Sequence, residues 1–193
     1  MALSRRLLSR TLAIAFAVSL LPALAVADDS PGLVLTGTLV DNGLVLPFTQ
    51  SLPITVRLDR FTTDDEAAGF AATLRKDGAN ALDRALFGQR LGVLQIRQGI
   101  GLPIGFAREF DDDAGRHILL LVQRPISPRE IFNAWRSVDY KYTVLEIDLA
   151  PDGRGSGEIL PAAQLRMRKD GRIELVNLLQ QPLRLLAVRK TSS

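Results

Sequence analysis

The chain of 193 residues has no cysteine, a single histidine (His117), a single tryptophan (Trp135) and only two tyrosines (Tyr140 and Tyr142). Without cysteine there is no disulfide framework, no thiolate nucleophile, no thiolate metal ligand and no cysteine to carry a lipid. With one imidazole, a zinc centre lacks the several His or Cys ligands it normally recruits. A serine–histidine–acid triad needs that histidine beside an activated serine, and no serine stands in a nucleophile-elbow pattern; Gly153 to Gly157, GRGSG, surrounds Ser156 with glycines but does not match it. A long apolar run is also missing after residue 27.

Before residue 27 there is such a run, and it reads as a leader. Arg5, Arg6 and Arg10 form a basic start, Leu12 to Leu21 is apolar, Pro22 breaks its helix, and Ala25-Val26-Ala27 fits a small-x-small cleavage site. The run from Leu12 to Ala27 is 16 residues, against about 20 for a bilayer span. Ser4-Arg5-Arg6-Leu7-Leu8 partly resembles a twin-arginine signal, with ordinary secretion the preferred reading. The expectation is a cleaved signal peptide over 1–27, a mature chain from Asp28, and a periplasmic or secreted product without integral membrane association. Of 24 Lys+Arg and 21 Asp+Glu, the leader holds three Arg and no acid, so the remaining 166 residues carry 21 of each and a net charge of zero. Nucleic-acid binding normally needs an excess of basic charge, and that support disappears. One domain of 166 residues can bury a real core.

Along that domain the β signal dominates. Gly32 to Val40 is rich in β-branched and apolar residues, Asp41-Asn42-Gly43 is a turn, and Ile54 to Arg60 alternates cleanly. The period then becomes helical. Thr63 and Glu66 form a capping box, Ala67, Phe70, Ala71 and Leu74 follow, and Gly78 is a stop. A second short helix fits Asn80 to Phe87, so a helical insert occupies about 63–88. Strands follow at Leu91 to Arg97, Leu102 to Phe110 and Arg116 to Arg124; Ile118 to Val122 is apolar throughout, which predicts cover on both faces. Ser127-Pro128-Arg129-Glu130 starts a third helix carrying Ile131, Phe132 and Trp135. In Val138 to Leu149 the apolar parity switches after Val144, which requires a bulge or a change of packing environment. Pro151-Asp152-Gly153 and Lys169-Asp170-Gly171 are turns, and Pro161 marks an edge strand or a bulge between them. Ile173 to Asn177 and Leu183 to Lys190 complete some nine strands. The expected fold is α+β, mainly an antiparallel, strongly curved sheet or partly closed β-barrel with a small helical insert.

Candidate chemistry is sparse. Asp111-Asp112-Asp113-Ala114-Gly115 reads as a hairpin turn, because adjacent acids splay instead of converging on a cation. His117 reads as a strand-edge residue. Gly99 to Gly105, GIGLPIG, lacks the following helix of a dinucleotide loop. Arg108 shares strand parity with Ile104, Phe106 and Phe110, which points a guanidinium at an apolar face and demands a partner distant in sequence. Trp135, Tyr140 and Tyr142 cluster in sequence and suit an amphipathic pocket. Arg108, Trp135, Tyr140 and Tyr142 are therefore the candidate ligand-binding residues, with no catalytic residue, metal or cofactor expected.

Phe61, Gly78, Gly92, Arg124-Pro125-Ile126, the stretch Tyr142 to Leu149 followed by Gly153, Gly155 and Gly157, and Pro182-Leu183-Arg184-Leu185 together resemble a family of exported bacterial β-rich proteins. The resemblance spans most of the mature chain and implies no particular activity. The leading functional expectation is an exported, non-enzymatic module that binds a small apolar or amphipathic ligand or an envelope protein. The alternatives are a hydrolase or isomerase working through Asp, Glu or Tyr, and a structural envelope protein without a ligand.

Overall fold

The computed structural model describes residues 32–41, 50–113, 115–123, 141–167, 173–177 and 182–191. The leader over 1–27, the turns at Asn42-Gly43 and Lys169 to Gly171, the third helix, Trp135 and Tyr140 lie outside them. In chain order the elements are β1 (Leu33–Asp41), β2 (Gln50–Leu58), α1 (Asp64–Asp77), α2 (Ala79–Phe87), β3 (Gly92–Ile96), β4 (Leu102–Asp112), β5 (Gly115–Val122), β6 (Tyr142–Leu149), β7 (Arg154–Met167), β8 (Ile173–Asn177) and β9 (Leu183–Thr191).

Eight strands close into an antiparallel barrel in the order β6-β5-β4-β3-β2-β1-β9-β7, and β7 returns to pair with β6. β8 stands outside the ring and pairs with the C-terminal part of β7. All eight ring strands send side chains into one core, including Leu35 and Leu39 of β1, Ile54 and Val56 of β2, Leu94 of β3, Ile104 of β4, Leu120 of β5, Ile147 of β6, Ile159 of β7 and Leu185 of β9. An eight-stranded barrel has an interior just wide enough for side chains to fill or for one small ligand. Here aliphatic side chains take that space.

Three bulges let the strands curve and keep apolar residues inward. In β4, Ile104 pairs with Val122 and Phe106 with Leu121, so Gly105 is the extra residue. A Cβ on Gly105 would lie 2.6 Å from the Gln123 amide nitrogen. In β7 the extra residue falls at Pro161 and Ala162, and the buried Thr143 hydroxyl donates to the Pro161 carbonyl at 2.9 Å. In β9, Ala187 takes φ 52° and shifts the register against both β1 and β7, which turns Leu185 and Val188 inward together.

The helices cover part of the outside. Thr62 docks the connection from β2 on β4, its N–H donating to the Ala107 carbonyl at 2.8 Å while its hydroxyl accepts from the Ala107 N–H at 3.0 Å. Thr63 and Glu66 then form the expected capping box of α1. Leu74, Leu82 and Leu86 pack on Phe106, Leu121, Tyr142, Val144 and Ala163. Both faces of Ile118 to Val122 are thereby covered, with Ile118, Leu120 and Val122 inward and Leu121 beneath the helices. The parity switch in β6 has the same origin. Tyr142 and Val144 lie under the helices, while Leu145, Ile147 and Leu149 face the barrel interior. Among the described residues no helix is long and apolar enough to cross a membrane.

Candidate functional site

The Gly105 bulge corrects the expected orientation of Arg108. Ile104 points into the barrel, whereas Phe106 lies on the outer face beneath the helices, so Arg108 follows Phe106 and not Ile104. Its guanidinium donates to the Asp64 carboxylate at 2.7 Å and to the Thr62 carbonyl at 3.3 Å, and lies over the Phe110 ring at 5.9 Å. The partner is distant in sequence, as an arginine against an apolar face requires. Because Asp64 is 84 % exposed, the pair is a rim contact and contributes little net stability. It fastens the first turn of α1.

Tyr142 fastens α2. Its hydroxyl donates to Asp83, which also accepts from the Lys141 ammonium; Lys141 reaches Asn80 at 3.0 Å as well. Burial foremost, then the hydrogen bond to Asp83, raises the Tyr142 phenol far above its ordinary range and keeps it neutral. Arg108 and Tyr142 thus bind different helices and are not brought into one pocket. Gln123 adds a third fastening, donating its amide to the Leu86 and Gln89 carbonyls at the end of α2.

A different place has the form of a site. At the end of the barrel where the β4–β5 hairpin, the β6–β7 turn and the end of β9 meet, a cleft of about 330 Å³ opens to solvent. Ala150 and Pro151 line it with apolar atoms beside the Leu149 backbone, and Asp111, Asp112, Arg116 and Lys190 supply charges of both signs. Beneath it the barrel is stoppered. Phe61 packs against the interior core, the Arg116 guanidinium lies 5.5 Å over its ring, and Arg116 donates to Glu109. Gly115 is required at the wall: it has φ 140°, and a Cβ would fall 2.2 Å from the Leu149 carbonyl oxygen.

His117 borders this cleft through Asp112. It is not at a sheet edge, since β5 lies between β4 and β6. Its Nδ1 is 2.6 Å from the Asp148 carboxylate and its Nε2 is 3.1 Å from Asp112. The Asp148 hydrogen bond, then the neighbouring Asp112 carboxylate, raises its pKa. The two acids flank the ring on opposite sides and do not converge. Among the described residues no three His, Asp or Glu side chains are grouped to hold a metal.

On the same outer face Glu146 and Glu158 are cross-strand neighbours, and Glu146 is half-buried. Burial, then the charges of Glu158 and Asp148, raises the Glu146 pKa. Sequence alone places Asp112 in a hairpin turn and assigns no role to Arg116, Asp148 or Lys190. They come from four strands, and only the strand register joins them. No family model, curated protein or solved structure matches the chain.

Proposed function

We propose that the chain is an exported, non-enzymatic binding module for a small amphipathic ligand, and that recognition takes place at the end of the barrel and not in its interior. The observation that carries this is the 330 Å³ cleft lined by both apolar and charged residues, within the usual range of about 300–1,000 Å³ for ligand pockets. The packed aliphatic interior supports an external site. A serine–histidine mechanism is disfavoured at His117, because Nδ1 is held by Asp148 and the buried Nε2 lies beside Asp112, with no serine or threonine hydroxyl among the described residues hydrogen-bonded to it.

Isothermal titration calorimetry of the full chain with octanoate and octylamine tests the reading, each probe pairing an eight-carbon tail with one sign of charge. At least one should bind, and Ala150→Trp, which fills the cleft from an exposed position outside the core, should abolish binding without lowering the melting temperature. Equal binding by wild type and Ala150→Trp would place recognition elsewhere. A second reading, docking of a protein partner, is supported by the exposed side chains of Ile100 (88 %) and Phe87 (75 %).

A further inference from the structure

We infer that His117 is a proton-operated clasp, pinning the tip of the β4–β5 hairpin to β6 and thereby setting the shape of the barrel-end cleft. The geometry carries this. The imidazole sits between two carboxylates on different strands: Nδ1 is hydrogen-bonded to Asp148 of β6, while the buried Nε2 lies 3.1 Å from Asp112 of β4, at ion-pair distance but without hydrogen-bond geometry. A neutral ring keeps its hydrogen bond to Asp148 but carries no charge for Asp112; an imidazolium adds an N–H at Nε2 and a positive charge between the two acids, which draws Asp112 in. Asp112 also accepts from the Gly115 N–H at 3.2 Å, so the carboxylate that the ring holds is the one that shapes the turn. Asp112 and Gly115 both line the cleft.

The surroundings favour the charged ring. On β4, Phe110 is its cross-strand neighbour, and the Arg108 guanidinium lies over Phe110 while engaged by Asp64. On β5, Arg116 faces the other way and pairs with Glu109, and Leu119 is the next residue of the same parity. β6 adds Glu146 near Asp148, and beyond it on β7 stand Ser156 opposite Asp148 and Glu158 opposite Glu146. Among the described residues, acids therefore outnumber uncommitted cations around the ring. The sign follows from a raised pKa. The clasp is fully closed below the unfolded-state value of about 6.5 and opens as pH rises through the higher folded value.

The regulatory step rests on the cleft reading above, while the clasp itself does not. Because His117 is the sole histidine, one imidazole signal reports on it in an NMR titration of the full chain. The midpoint should lie above the ordinary range, and Asp148→Asn and Asp112→Asn should each lower it. Exchange of the Gly115 amide, corrected for intrinsic base catalysis, should quicken roughly threefold through that midpoint, a modest change suited to a half-exposed pair. In His117→Gln the corrected exchange should lose this pH dependence. An ordinary midpoint indifferent to both Asn variants, or the same exchange profile in His117→Gln, would overturn the clasp. Octanoate and octylamine titrated on either side of the midpoint then separate the two ideas. Weaker binding above it supports regulation. Binding of equal strength on both sides refutes regulation. A closed clasp with no binding at any pH refutes the cleft reading and leaves the clasp standing.

Discussion

The two apolar regions of this molecule are built on different terms. Inside the barrel, every ring strand contributes aliphatic side chains and cohesion is steric; the fully buried Thr143 meets its hydrogen-bonding need locally at the Pro161 bulge. Under the helices the core is smaller, and polar fastenings surround it: Tyr142 and Lys141 to Asp83, Gln123 to the end of α2, and Arg108 to the start of α1. Leu74 is the only fully buried residue of α1, and α2 adds Leu82 and Leu86. The ring is held by volume and closure, the helical cover by directional bonds at its rim. Low-burial elements of this kind open before the rest of a fold.

That contrast can be broken at its strongest point first. Ile147→Ala, deep in the barrel at 1 % exposure, should cost about 3 kcal/mol in chemical denaturation and lower the protection of amides throughout the ring. Asp83→Ala removes the acceptor shared by Tyr142 and Lys141; leaving a buried hydroxyl unpaired costs about 1–3 kcal/mol. Hydrogen exchange should then quicken in α1 and α2 while β1, β2 and β9 keep their protection. Equal loss in both regions would show one cooperative unit. Smaller still, Glu66→Ala removes the capping box and should cost about 1 kcal/mol. Arg60 holds the Glu66 carboxyl down to about 2, so the part of its contribution due to charge is present above the ordinary glutamate value and fades as pH falls through about 2. The smallest effect has the opposite sign. Glu146→Gln should stabilise by under about 1 kcal/mol at neutral pH. The raised pKa of Glu146 means that its ionised form opposes folding, so the gain should vanish in acid, where the native carboxyl is protonated.

Much of this was legible from local chemistry. The capping box at Thr63 and Glu66, the strand alternation and the doubly covered Ile118 to Val122 are all stated by side-chain type and spacing. The parity switch after Val144 was legible as a bulge or a change of surroundings, and Pro161 as an edge strand or a bulge, of which the structure has the bulge. Arg108 was legible as an arginine beside Phe106 and Phe110 with a sequence-distant partner, but Ile104 was wrongly grouped with it, because Gly105 adds one residue to β4 and no neighbour's polarity marks that. Ala187 is a second hidden case: an alanine with positive φ looks like any strand residue. The end cleft and the His117 contacts were invisible because cross-strand register creates them. Local pattern states which way a residue faces, and closure decides what it meets.

The last strand has a consequence for the order of events. β9 lies between β1 and β7, so the two seams that complete the ring belong to residues 183–191, while β1 begins at Leu33. Until β9 docks, the aliphatic faces of β1 and β7 have no strand between them and the shared core is unfinished. Non-local pairing of this kind is also slow, which makes closure of the ring the step expected to set the folding rate.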